Sequence, residues 1–549
     1  MQYHITRKSI SSQFIEITLL LDCKADEKIH LQLAAWRPGR YELANYAQKI
    51  RGFHIIKKDK SISWNKLSKD LWSFTALESG LYRIKYAYYC NQMDAGACWS
   101  DDTQLYLNFS NFIFDIKERN NQKISLHIEI PQNYEVATAL SSLGQNLWEA
   151  ENYQHLMDSP FLASDQLKQF SYQVNNSNFH LWFNGSIHFE VEKLIQEFKN
   201  FTTKQIEAFG DFPASDYHFI FQLLPYKQYH GVEHAFSTVI TIGPAVKLDE
   251  KKGLDELFGV SSHELYHFWN VCRIRPKELK KYDLSKVTYL DTGLVLEGVT
   301  TYMGDLFLLK SGYFSLEDYL SILEKQIQKE LDNFGWKNQS LVESSLDLWL
   351  DGYTPGIPDK KVSIYNRGAL LALCLDLLLL DHSSSLSSVM KIMWEKFGKP
   401  GIGYTLEDFK NIIAVSAKEK TDAFFSLYVY GHEDISPLLF RLLESIGIEV
   451  TESYPAENLL YNWGIRTDDK GKVTQIHPES LAYHVLMLED QFLNFEELRE
   501  KNTLSPLEIE VKRWGRNLAF SIPIEKRRFF PIYKLSCLFE NNKSKRWME

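Results

Sequence analysis

Residues 262–270 read SHELYHFWN, placing His263 and His267 four apart. On a helix of 3.6 residues per turn, both imidazoles leave the same face and can grip one metal ion. Glu264 follows the first histidine and stands beside that face, where its carboxylate can take a proton from a water at the metal instead of ligating it. With 16 histidines and 71 acidic residues in 549, this pattern arises by chance roughly 0.06 times per chain. A hydrolytic zinc also needs a third protein ligand and an open position. A helical stretch, EGVTTYMGD, begins after 29 intervening residues beyond His267, and its Glu297 is the candidate for that ligand.

These residues need a scaffold, and the pattern along the chain divides it into three. Residues 1–170 carry short alternating or β-branched and aromatic stretches such as FIEITLLL, LYRIKYAYYC and ISLHIEI, separated by polar turns, as in an all-β, sandwich-like domain. Residues 171–446 open with a small sheet and then turn to helical spacing, including a leucine-rich run after Gly368 that reads as a buried helix. Residues 447–549 mix strand and helix signals and form a small third domain, ending in KSKRWME, which reads as a solvated tail. The fold class expected is multidomain α+β.

Composition excludes some functions. The net charge of -10 leaves no cation surplus to neutralise phosphates, so nucleic acid is not an expected partner. The longest apolar run, broken by Asp376, is too short for a bilayer span, so no membrane is expected either. The opening MQYHITRKSISSQF lacks the basic and apolar blocks of a secretory signal, and the six cysteines form no CxxC pair, so a cytoplasmic setting is expected.

The sequence resembles the glycyl aminopeptidase family of zinc peptidases, metallopeptidase family sixty-one, over nearly its whole length. The resemblance lies in FWNVCRIRP after His267, in EGVT at Glu297, and in HGVEHAFST, which is similar to the family's GGLEHRNST with His230 in place of the first glycine. SLVESSLDLWL, SIYNRGALLALCLDL and the N-terminal AAWRPGRYELANYAQKI extend it. It implies a thermolysin-like catalytic domain with one zinc per chain on His263, His267 and Glu297, and Glu264 as general base. It further implies that Tyr365 stabilises the tetrahedral intermediate and that Glu233, beside Gly231, receives the substrate's free α-amino group. The expected activity is removal of a small N-terminal residue, glycine or alanine, from peptides with a free N-terminus.

By the same resemblance, the last hundred residues are expected to be a PDZ-like domain. Trp463, Gly464 and Ile465 fit its carboxylate loop, with a peptide C-terminus as partner. Arg273, Arg275, Trp269 and Asn270 read as support for the site. Two alternatives stand beside this reading: a zinc endopeptidase with an open cleft, and a catalytically weak scaffold that binds peptides through its PDZ-like domain.

Overall fold

The computed structural model describes residues 1–418, 421–454, 458–500 and 506–549. The first 164 residues are β-rich. An eight-stranded sheet runs through Gln2–Thr6, Phe14–Cys23 and Gly80–Tyr89, and two four-stranded sheets complete the region. Alternation drives the layering: along Phe14–Cys23, Ile15, Ile17, Leu19 and Leu21 turn inward while Glu16, Thr18 and Leu20 do not. Phe53 and Tyr86 of the large sheet meet Trp72 and Phe114 of a smaller one ring to ring, at 5.0 to 6.1 Å.

The catalytic half opens with a five-stranded sheet: β1 (Lys168–Val174), β2 (Ser177–Asn184), β3 (Asp216–Leu223), β4 (Gln228–Glu233) and β5 (Ser237–Gly243), in the order β1-β2-β3-β5-β4. β2, β3 and β5 are parallel, and β4 is an antiparallel edge. β5 is buried on both faces as far as Ile242, as expected for a central strand. Helix α1 (Val191–Phe209) makes the β2-to-β3 crossover and buries Leu194, Phe198, Phe201, Ile206 and Phe209 at helical spacing.

Three further helices carry the chemistry. Helix α2 (Lys251–Tyr266) holds the first histidine of the motif, and a short π-helical segment, Leu294–Val299, leads into α3 (Thr300–Lys310). Helix α4 (Asn366–Asp381) is the leucine-rich run, buried at every position except Leu378 and Asp381. It crosses the π segment glycine on glycine: a Cβ on Gly298 would lie 2.6 Å from the Gly368 backbone. That crossing brings the start of α4, with Tyr365 as its cap, to Glu297. No single helix among the described residues is long and apolar enough to cross a membrane.

The third region divides differently from the expected boundary at 447. A separate core is confined to Leu459–Ile522, whereas the strands flanking it, Ile448–Ser453 and Ile532–Cys537, pair with each other and join the main core. The expected solvated tail is a docked helix, α5 (Asn542–Met548). Its Trp547 is 1 % exposed, and the indole N–H donates to the Tyr302 hydroxyl at 2.8 Å. One tryptophan among charged residues is too short a pattern to announce a helix; the buried pocket beside α3 and α4 creates it.

Candidate metal centre

Helix α2 ends at Tyr266, so His263 lies in its last turn and His267 caps it. The two Nε2 atoms converge to 3.0 Å, and Glu297 Oε2 lies 3.7 and 3.6 Å from them. Three sequence candidates thus meet at one point. His267 is fixed by its other nitrogen, since Nδ1 lies 2.8 Å from the Asn270 carbonyl oxygen and donates to it, which leaves Nε2 as a lone-pair donor. Asn270 is held in turn: its side chain donates to Val295 O at 2.7 Å and Thr300 Oγ1 at 3.0 Å, tying the histidine loop to the segment that carries Glu297. A π-turn at that segment is a common device for aiming a functional side chain.

The donor set fits a divalent cation. Glu297 is 3 % exposed, and its Oε2 is buried without a hydrogen-bond partner. Burial, reinforced by Glu233 and opposed by His267 and Tyr365, pushes the Glu297 carboxyl up to about 7. Burial and the neighbouring His267 push His263 well below its ordinary value. A second convergent group, Glu233, Glu264 and His267, shares one histidine with the first. Two imidazoles and one carboxylate form the better zinc site, because they leave a position open and leave Glu264 free for proton transfer.

Glu264 lies against β4. A Cβ on Gly231 would collide with Glu264 Oε1, so only glycine admits this contact. Glu264 Oε2 is buried without a partner, and burial with the Glu233 and Glu297 charges raises the carboxyl well above the usual range. Such a group takes up a proton readily. Tyr365 is bonded to Glu297 and Tyr353; burial, then Glu297 and Tyr353, hold its hydroxyl well above the ordinary phenol value, so it stays a donor.

Glu233, at the end of β4, is 7 % exposed. Its carboxylate abuts Gly39 of the β-rich region, where a Cβ would clash with Oε2. That loop is anchored on the catalytic half: Ala35 N donates to Leu284 O at 2.7 Å, the Trp36 indole to Lys286 O at 2.7 Å, and Trp36 meets Trp349 edge-on. The Trp36–Tyr41 segment is therefore part of the site, a role its sequence did not announce. Reading the sequence also missed Tyr353, whose hydroxyl lies 3.4 Å from Gly39 O, and Asp305. Gly39, Glu233, Tyr353 and Asp305 border one cavity of 570 Å3 with the triad.

The supporting residues behave as read. Arg273 donates to Phe268 O and Ala235 O and stacks on the Phe268 ring, while Arg275 donates to Cys272 O. His230, the departure in HGVEH, is held down to about 4 by burial and the neighbouring Arg37, and so is neutral.

A β-rich region, a thermolysin-like sheet and helices, and a largely buried His-His-Glu triad beside a free glutamate define a metallopeptidase. The chain belongs to the M61 glycyl aminopeptidase family: that family's model matches residues 256–371, and the model of the peptidase M61 N-terminal domain matches residues 2–165. Among solved structures, an aminopeptidase N family protein from Idiomarina loihiensis is similar over 100% of both chains, with 23% identity and a TM-score of 0.91. Two mutant structures of an M1 zinc metallopeptidase from Deinococcus radiodurans match 79% of this chain and 94% of theirs at a TM-score of 0.50, with 14% and 15% identity. The second of these is bound to a Tyr-Ser-Ala substrate. These likenesses are of fold. A search of curated proteins finds no match.

Proposed function

We propose that this protein is a zinc aminopeptidase that removes the first residue, preferentially glycine or alanine, from peptides with a free N-terminus. The observation that carries the reading is the seating of the Gly39 loop on the buried Glu233 carboxylate within the cavity of the metal triad. An endopeptidase must let its substrate run on past the reacting bond in both directions. Here the loop walls off one end, and the wall presents a carboxylate, the group that pairs with an α-ammonium. The same crowding by Gly39 and Tyr353 favours a small first residue.

His263, His267 and Glu297 would hold one zinc ion. When bound, it supplies Lewis-acid polarisation of the scissile carbonyl and acidifies the attacking water. The protein's own groups do the rest. Glu233 fixes the ammonium and thereby which bond lies over the triad. Glu264 takes the proton of the water as the new C–O bond forms, and returns it to the leaving nitrogen as the C–N bond breaks. Tyr365 donates its O–H to the oxyanion between these events.

A peptide ligand for the third unit gains less support. Gly464 has φ +65, but the space above it, where the PDZ-like pattern puts a carboxylate loop, is filled by the Phe529 ring and His477. The six unpaired cysteines favour a reducing, cytoplasmic setting.

The test is release of p-nitroaniline from glycine and alanine p-nitroanilides, free and N-acetylated, by zinc-loaded protein. Cleavage of the free-amine forms alone, with discrimination lost in Glu233→Gln, is expected. Equal cleavage of acetylated substrates returns the endopeptidase, and bound zinc without turnover on any peptide returns the scaffold.

A further inference from the structure

Three elements leave the triad in the same direction. On the helix that continues from Glu297, Thr301 and Asp305 follow at intervals of four and so share its face. On α2, Val260 and Gly259 precede His263 by three and four. On β4, Tyr229 and Gly231 precede Glu233 by four and two and share its side of the strand. All of them border the 570 Å3 cavity.

Their order sets the direction of a bound peptide. With the amine at Glu233 and the reacting carbonyl at Glu264, which lies on Gly231, the chain beyond the scissile bond must run toward Tyr229, Gly259 and Asp305. Eight helical residues separate Glu297 from Asp305, ~12 Å along the axis. A long side chain on the second substrate residue covers the remaining distance and a methyl does not.

Asp305 is unusual there. Its Oδ2 accepts from Gln326 Nε2 at 3.2 Å, and no lysine, arginine or histidine among the described residues pairs with it. Asp376 on α4 shows the contrast: a buried structural aspartate, it uses both oxygens, accepting from the Tyr302 hydroxyl at 2.5 Å and from Leu386 N at 2.6 Å. Asp305 keeps Oδ1 for the cavity it borders. Gly259 keeps the approach open, since even a Cβ there would stay 4.0 Å from that oxygen. Burial lifts the Asp305 carboxyl to about 7, the cost of a carboxylate without a cation beside it.

We propose that Asp305 is a specificity-determining residue that reads the second residue of the substrate and selects lysine or arginine there. The proposal rests on the aminopeptidase reading, because the position of the amine fixes the direction. An arriving ammonium or guanidinium supplies Asp305's counter-charge, and an acidic side chain meets a like charge.

Zinc-loaded protein is assayed on Ala-Lys-Ala, Ala-Ala-Ala and Ala-Glu-Ala. The expected kcat/KM falls in that order, with lysine ahead of alanine by at least about tenfold. Asp305→Asn brings the lysine-to-alanine ratio close to one, and Asp305→Glu restores it. Calorimetry on the Glu264→Gln variant gives a second readout, with Ala-Lys-Ala binding more tightly than Ala-Glu-Ala. Equal rates on the three tripeptides overturn the proposal and leave an aminopeptidase. So does a lysine preference at the first position, seen as faster cleavage of Lys-Ala-Ala than of Ala-Lys-Ala. Failure on every free-amine peptide, with acetylated ones cleaved, overturns both readings.

Discussion

Tyr353 and Tyr365 stand between two cavities of different make. On one side lies the 570 Å3 cavity of the metal triad; on the other, an 1130 Å3 cleft between the catalytic half and the third unit, lined by residues 352–359, Arg466, Gln475 and Leu486 among others. In the cleft, Arg466 pairs with Asp332 at 2.9 Å, and the Lys361 ammonium donates to Gly352 O and Thr354 O. In the smaller cavity, Glu264 and Glu297 each bury an oxygen with none. Leaving such groups unpaired costs stability, so their concentration in one place marks chemistry in a way that volume does not.

The largest expected effect breaks that contrast at its centre. Glu264→Gln removes the proton carrier without touching a ligand, so kcat should fall by about 10³-fold while zinc content by atomic absorption stays at one per chain. The metal-free variant should melt higher than the metal-free parent, because a carboxyl crowded by Glu233 and Glu297 becomes neutral. A loss of zinc would show that Glu264 is a ligand, in the rival group with Glu233 and His267.

Next comes the wall between the cavities. Tyr365→Phe should lower kcat by about 10²- to 10³-fold with KM little changed, as for a donor used only in the transition state. Tyr353→Phe should cost much less, since its hydroxyl meets Tyr365 and the Tyr41 and Gly39 backbone instead of the triad. Equal losses would make the two tyrosines one hydrogen-bonded unit.

The same contrast explains what could be read in advance. His263, His267 and Glu264 were legible because helical spacing fixes which side chains meet, and Glu297 because a hydrolytic zinc needs a third ligand and a helical stretch opens on that glutamate. Glu233 and Tyr365 came only through family resemblance, since nothing local distinguishes an edge-strand glutamate or a helix-capping tyrosine. Gly39, Tyr353 and Asp305 were not legible at all. Gly39 reaches the site because Trp36 docks on Lys286, some 250 positions away, and Tyr353 through a turn without periodicity. The β-rich start and the buried α4 helix followed from alternation and from leucine density. Trp547 was misread because its pocket is built by distant helices.

Asp305 offers a test by pH. Its carboxyl is raised from 3.8 in the unfolded chain to about 7 in the fold. Between those values the folded state keeps a proton that the unfolded state has lost, so this contribution is fully present below 3.8 and disappears as pH rises through 7. Asp305→Asn removes that slope. In urea titrations the variant should gain stability relative to the parent at pH 8 compared with pH 5. Parallel curves would mean that Asp305 is paired in solution.

The smallest effect belongs to the cleft. Arg466 reaches from the third unit to Asp332, with the arginine side chain 37% exposed. An ion pair so open to water is worth less than about 1 kcal/mol, and Gln475, donating to Asp332 O at 2.6 Å, holds the same junction without charge. Arg466→Ala should therefore shift the urea midpoint only slightly and leave kcat/KM on alanine p-nitroanilide within about twofold of the parent. If turnover instead falls with the melting temperature unchanged, the cleft takes part in organising Tyr353 and Tyr365. The paired charges of the larger cavity would then serve the unpaired ones of the smaller.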